Sequence, residues 1–182
     1  MTLIEPFPTV EGGWKTILAD CPWSFGDNLP GKGRGAQKHY DVMTNQDIIN
    51  MPVKEITAEQ CHLYLWTTNT HLDVAFDVMK EWGFDYKTMI TWVKVSKAGK
   101  IRIGMGRYYR NCTEHVLFGV KGKMFTQNTN LPNVFMAERT LHSAKPENLY
   151  EMIRECSPSP RLELFARNKA EGFERWGLEA PE

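Results

Sequence analysis

Thr16-Ile17-Leu18-Ala19-Asp20-Cys21-Pro22-Trp23 is the stretch on which the fold turns. An apolar run that stops at an acid reads as a buried strand, Lys15 to Ala19, with a carboxylate at its carboxyl end. Pro22 fixes φ and makes a rigid turn beyond it. Trp23 then sets an aromatic plate beside the acid. A plate that stacks and an acceptor for an exocyclic amine are what hold a flipped-out nucleobase. The same residues also suit an ordinary strand end with a core tryptophan, so the rest of the chain has to decide.

Working outward, residues 1–13 contain Pro and Gly and read as a lead-in arm. Gly26 to Gln37 is polar and Gly-rich and reads as a mobile loop. Thr44 is placed to cap a short helix through Ile49, with Asp47 in its first turn and Pro52 just beyond. Cys61 to Trp66 reads as a strand. Thr70 is then expected to cap a helix carrying Leu72, Ala75, Phe76 and Met79 at helical spacing, with Gly83 at its end. Tyr86 to Val95, Glu114 to Val120 and Val134 to Ala137 read as strands, and Ser96 to Arg110 as a basic loop. Pro146 is expected at the first helical position of a helix running Glu147 to Cys156. Leu162 to Ala166 reads as a last buried strand. Strands with interspersed helices predict an α/β sandwich around a mostly parallel sheet, in a single domain over residues 1–182.

The bulk properties agree. The chain has 182 residues, enough to bury a real core, and its 42% hydrophobic content fits a soluble protein. No run is long and apolar enough to span a membrane, and the first residues lack the pattern of a signal peptide. Cys21, Cys61, Cys112 and Cys156 are far apart and form no C-x-x-C pair, which suggests neither a metal site nor a disulfide framework. A reducing cytoplasm is the expected compartment. Net charge is zero, yet residues 94–123 carry +7 and the remainder −7. A local basic surface on a neutral protein suits a polyanion that must be gripped without indiscriminate sticking. A solvated, lysine-rich loop is the bland alternative.

Ligands of open α/β sheets bind outside the carboxyl ends of the strands, where strand order reverses. The first strand ends in Asp20-Cys21-Pro22-Trp23 and the last runs into Arg167-Asn168. If the two are neighbours, their turns face each other across a cleft. Neither G-x-G-x-x-G nor G-x-x-x-x-G-K-[ST] occurs, which disfavours a pyrophosphate cofactor. A cofactor with a carboxylate and a ribose remains open. Lys145, just before a helix start, can meet the carboxylate, while Arg167 and Asn168 can serve the hydroxyls. S-adenosylmethionine has this chemistry.

Asp20-Cys21-Pro22-Trp23 resembles the D-P-P-W motif of the MT-A family of adenine-N6 methyltransferases. The likeness extends through Lys38-His39-Tyr40, Leu63-Tyr64-Leu65-Trp66-Thr67, Trp82-Gly83-Phe84 and Thr91-Trp92-Val93-Lys94. It continues through Glu114-His115, His142-Ser143-Ala144-Lys145-Pro146-Glu147, Glu163-Leu164-Phe165-Ala166-Arg167 and Trp176-Gly177-Leu178-Glu179. These segments run in family order over about residues 14–180, and the compact length looks most like the phage and bacterial members. The resemblance implies a Rossmann-like class I methyltransferase with permuted motif order, using S-adenosylmethionine on the N6 amine of adenine. DNA is the expected substrate, ahead of RNA, in a bacterial or phage-infected cytoplasm. A non-catalytic nucleic-acid-binding scaffold is the contrasting class, and the presence of both Asp20 and Trp23 argues against it. Association into homo- or hetero-oligomers is left open, and neither a metal nor a membrane is implied.

The resemblance also assigns roles. Asp20, Cys21, Pro22 and Trp23 form the catalytic motif. Asp20, Lys145, Glu163, Phe165, Arg167, Asn168 and Glu179 fall at the cofactor, with Lys145 at its carboxylate and Arg167 and Asn168 near its ribose. Glu179 departs from the amide found in the eukaryotic catalytic subunit. Cys21 departs from the first proline of the motif, but its backbone carbonyl can still accept an amine hydrogen. Amine methylation needs no covalent enzyme intermediate, so a thiol role is not expected. Trp23, Lys32, Arg34, Tyr40, Arg107 and Arg110 are the expected substrate contacts, on target-recognition loops at residues 24–43 and 96–110.

Overall fold

The computed structural model describes residues 6–24, 43–139 and 145–177. The elements follow the chain as β1 (Trp14–Asp20), α1 (Asn45–Ile49), α2 (Val53–Ile56), β2 (Thr57–Thr67), α3 (Leu72–Glu81), β3 (Asp85–Val95), β4 (Thr113–Lys121), β5 (Val134–Glu138), α4 (Glu147–Cys156), β6 (Arg161–Leu164) and β7 (Glu174–Trp176). Among the described residues the strands form one sheet in the order β5-β3-β4-β2-β1-β6-β7. All neighbours are parallel except β4, which runs against both β2 and β3. The mixed α/β architecture with a mostly parallel sheet is the one expected from the sequence.

β1 lies at the centre, and Ile17, Leu18 and Ala19 are all fully buried. A strand covered on both faces has no solvent side, which is why its sequence is a continuous apolar run rather than an alternation. Ile17, Ala19, Leu63 and Leu65 pack on one face with Ile48 of α1 and Ala75, Val78 and Met79 of α3. Leu18, Tyr64 and Trp66 pack on the other with Leu149, Tyr150 and Ile153 of α4. The chain leaves β1 toward β2 and later returns to place β6 on the other flank of β1. Strand order therefore reverses at β1, and the crevice there lies between the carboxyl ends of β1 and β6.

Several expected boundaries shift. α1 is capped as read: the Thr44 hydroxyl accepts the Asp47 N–H at 3.1 Å. Gly83, at φ +84°, ends α3 in a Schellman arrangement, with Phe84 N–H donating to Met79 O and Gly83 N–H to Lys80 O. Thr70 does not cap α3. It lies inside a 3-10 turn, Asn69–His71, and the helix starts at Leu72 with His71 at its N-cap. The side chains around this turn are engaged elsewhere: Asn69 donates to Thr113 O, and His71 bonds Thr68 and Ser24 O. Pro146 is the N-cap of α4 rather than its first residue, with extended ψ while its carbonyl accepts the Leu149 N–H. β6 stops at Leu164, two residues short of Ala166, because Phe165 takes φ +61° and turns the chain out of the sheet. β7 and α2 were not read from the sequence; three and four residues are too short to show a period.

Candidate active site

Asp20 ends β1 and pairs in register with Trp66 near the end of β2. Ala19 pairs with Leu164, so Asp20 projects where β6 gives way to the Phe165 turn. The two turns singled out by sequence thus do lie side by side. Side chains of Leu18, Asp20 and Glu163 share the α4 face by strand alternation.

Lys145 arrives on that face just ahead of α4. Its Nζ lies 3.1 Å from Asp20 Oδ2 and 2.9 Å from Glu163 Oε1. The Tyr150 hydroxyl donates to both Glu163 oxygens at 3.0 and 3.1 Å. The side chains of Lys145 and Glu163 are 5% and 2% exposed, that of Asp20 is 18% exposed. Burial by itself would push the Lys145 ammonium down, but the carboxylates of Asp20 and Glu163 outweigh it and hold its pKa above the ordinary lysine range. Burial likewise holds the Tyr150 phenol protonated, as its donation to Glu163 requires. A cation at a helix start opposes the helix dipole. The protein itself supplies the anions that explain it: Lys145 is buried and paired rather than solvated.

Trp66 backs this cluster. Lys145 Nζ sits 6.0 Å from the centre of its ring, and its indole N–H donates to Glu114 Oε2 at 2.7 Å. Glu114 also pairs with Lys94. His115, next in β4, bonds Thr91 and Asn69 through its two nitrogens. These side chains come from strands far apart in sequence and meet at one end of the sheet.

The turn after β1 is tight. The Cys21 carbonyl accepts the Trp23 N–H at 2.8 Å, and the Pro22 carbonyl accepts the Met43 N–H at 3.2 Å. One lone pair of the Cys21 carbonyl is thereby used and one is left. The Cys21 thiol is buried, and burial followed by the Asp20 charge pushes its pKa well up. It is a core group, not a poised nucleophile. Trp23 is not an open plate. It is buried in the core, its indole N–H donates to Trp66 O at 3.3 Å, and one ring face stacks on His71 at 5.7 Å with 15° between planes.

Phe165 packs edge-on to Trp176 at 5.5 Å. Arg167 is half-buried and Asn168 exposed, both just past the end of β6. Arg107 and Arg110 lie on the arm between β3 and β4, and Arg110 Nε donates to Gly104 O. Lys32, Arg34, Tyr40 and Glu179 lie outside the described residues. Sequence reading missed Tyr150, Trp66, Glu114 and His71 as parts of the site. Trp66 and Glu114 stand in the motif segments quoted above, but only the sheet order brings them to Asp20. Among the described residues no three His, Cys, Asp or Glu side chains are grouped to hold a metal ion, and no helix is long and apolar enough to cross a membrane.

The family model described as MT-A70 matches residues 14–179. The chain belongs to the MT-A70 family. Over 99% of its length it is 30% identical to the type II methyltransferase M.MunI of Mycoplasma sp, covering 84% of that protein. It is 31% identical, over 87% of the chain, both to the N(6)-adenosine-methyltransferase catalytic subunit of Homo sapiens and to an N(6)-adenosine-methyltransferase subunit of Danio rerio. The chain spans only 26% of those two longer proteins. Family membership agrees with the motif order read from the sequence, and the Asp20 crevice carries the motif by which the family was met.

Proposed function

We propose that the chain methylates the N6 amine of adenine in DNA with S-adenosylmethionine as donor, in the crevice where Asp20 ends β1. One observation carries this reading. Asp20 is the acid of the buried cluster that reaches the crevice: its side chain is 18% exposed against 2% for Glu163, with Lys145 Nζ 3.1 Å from its Oδ2. Its carboxylate is the first acceptor for a hydrogen of the amine. The carbonyl of Cys21, with its remaining lone pair, is the second acceptor. Two acceptors on the two N6 hydrogens favour a pyramidal nitrogen whose lone pair is no longer delocalised into the ring.

The donor set fits the proposed cofactor. Asp20, Glu163 and Lys145 together carry one negative charge in a buried site, which suits a ligand with a sulfonium and an ammonium and repels a phosphate. Lys145 donates to Glu163 and pairs with Asp20, and its remaining donor capacity is assigned to the ligand's carboxylate. Arg167 and Asn168, just past the Phe165 turn, are the residues assigned to the ribose hydroxyls, with Glu163 and Phe165 also on the cofactor side. Bound there, the cofactor supplies an electrophilic methyl group. The contribution of the chain is alignment and acceptance of the amine's two hydrogen bonds, at the Asp20 carboxylate and the Cys21 carbonyl.

The whole-length match to a type II methyltransferase supports DNA, and a cytoplasmic site of action in a bacterial or phage-infected cell. RNA is the second reading, favoured by the similarity to the N(6)-adenosine-methyltransferases. Methyl transfer from labelled S-adenosylmethionine to matched DNA and RNA, followed by nucleoside analysis, tests both. N6-methyladenine should form in DNA, and Asp20→Asn should lower its rate about a hundredfold or more, by analogy with the loss of one transition-state hydrogen bond. Label on another base, or near wild-type turnover by Asp20→Asn, would remove this assignment.

A further inference from the structure

The arm between β3 and β4 carries two tyrosines whose side chains stand in solvent. Tyr108 is 97% exposed and Tyr109 is 90% exposed. Met105, Ile103 and Ile101 on the same arm are exposed as well. So many large apolar side chains in water on one segment mark an interaction site.

The arm is built, not loose. Val95 bridges Ile101, Arg102 N–H donates to Lys94 O, and Gly104 N–H donates to Asn111 O at 2.7 Å. Asn111 N–H returns to Met105 O, and Arg110 Nε donates to Gly104 O at 2.5 Å. The tip closes so tightly that a Cβ on Gly106 would stand 1.9 Å from Tyr109 O. A closed tip of this kind pushes both tyrosine rings outward and limits the entropy lost when they dock.

Charge selects the partner. Residues 96–112 hold Lys97, Lys100, Arg102, Arg107 and Arg110 and no acid. A symmetric pairing of two copies through this arm would set two such clusters against each other. A nucleic acid instead offers phosphates to the cations and ring faces to the tyrosines.

Position points the same way. Asp20, Trp66, Val116 and Ile90 are paired in a row across β1, β2, β4 and β3. The arm leaves β3 after Val95 and re-enters β4 at Thr113, at the end of the sheet where Asp20 sits, with β3 three strand spacings to the side of β1.

We propose that Tyr108 and Tyr109 form a stacking element that packs on the nucleobases beside the target adenine while the arm's basic side chains hold the phosphates. The proposal rests on the function proposed above and adds the conformation of its substrate: bases next to the target must be unstacked or terminal to receive the rings.

The test uses the full chain and an adenine-containing DNA duplex with 2-aminopurine beside the target. The double variant Tyr108→Ala/Tyr109→Ala should bind about ten- to a hundredfold more weakly, with an unchanged salt dependence. It should lose the fluorescence change at the neighbouring base, and Tyr108→Phe/Tyr109→Phe should restore both. Arg107→Ala/Arg110→Ala should instead flatten the salt dependence, by about 0.9 in slope for each phosphate no longer neutralised. Unchanged affinity and fluorescence in the double alanine variant would overturn the proposal. So would a drop in the mass of the free protein by sedimentation, which would make the arm a contact between copies. The underlying function is read separately from methyl transfer by the wild-type chain. Transfer with ring-independent binding refutes the arm alone; ring-dependent binding without transfer to adenine refutes the methylation reading and supports the arm.

Discussion

Replacing Lys145 with methionine keeps most of the side-chain volume and removes one positive charge from a site that holds two carboxylates. Nζ is 3.1 Å from Asp20 and 2.9 Å from Glu163, and neither Lys145 nor Glu163 is appreciably exposed. The variant leaves two like charges facing each other with one partner gone. Breaking a buried ion pair from one side typically costs about 3–5 kcal/mol. The partial exposure of Asp20 lets water screen it, so the lower half of that range is expected. For a chain of this size each kcal/mol moves the melting temperature by about 2–4 °C, so a drop of roughly 10 °C should follow. Lys145→Met/Glu163→Gln returns the cluster to a single negative charge and keeps a partner for Tyr150. It should be more stable than the sum of the two single variants by about 1–3 kcal/mol. Urea unfolding followed by circular dichroism measures all four corners, and an unchanged m confirms that only stability has moved. A loss below about 1 kcal/mol for Lys145→Met, or strict additivity in the double variant, would refute the coupled cluster.

Three further outcomes follow from the same geometry. His62, His71 and His115 each have a pKa lowered from 6.5, chiefly by burial, so the unfolded chain binds more protons below that pH. Stability should be full above about pH 7 and fall as pH drops through 6.5 toward the depressed folded values; urea midpoints that rise on acidification from pH 7 to 5.5 would contradict this. Cys21, Cys61 and Cys156 are buried with raised thiol pKa values, that of Cys61 reaching about 12, whereas Cys112 is half-exposed. A thiol reagent at pH 8 should therefore label Cys112 fast and the others only on unfolding, and fast labelling of Cys21 would reopen a thiol role. Trp66→Phe removes the indole N–H that Glu114 accepts and should destabilise by about 1.5–3 kcal/mol, the worth of a hydrogen bond to a charged group. Denaturant titration checks it, and a neutral result would show that Lys94 alone satisfies Glu114.

What the sequence determined is what local chemistry can encode. The apolar run to Ala19 and the acid that ends it, the Thr44 cap, the Gly83 terminus of α3 and the period of α4 are each set by neighbours a few residues away. They were legible because backbone hydrogen bonding and side-chain periodicity act at that range. The motif segments in their order pointed to the family, and with it to Asp20 and Lys145 as expected site residues. Thr70 misled because a capping residue type was present while its neighbours were drawn into contacts with β4 and with Ser24. Only the tertiary structure decided that β6 lies beside β1, and so that Glu163 and Asp20 converge on one lysine. It also decided that Trp23 is stacked on His71 inside the core, and that Trp66 and Glu114 stand behind the acid. These are through-space facts. They depend on strand order and on which face of the sheet a side chain takes, and spacing along the chain carries no record of either.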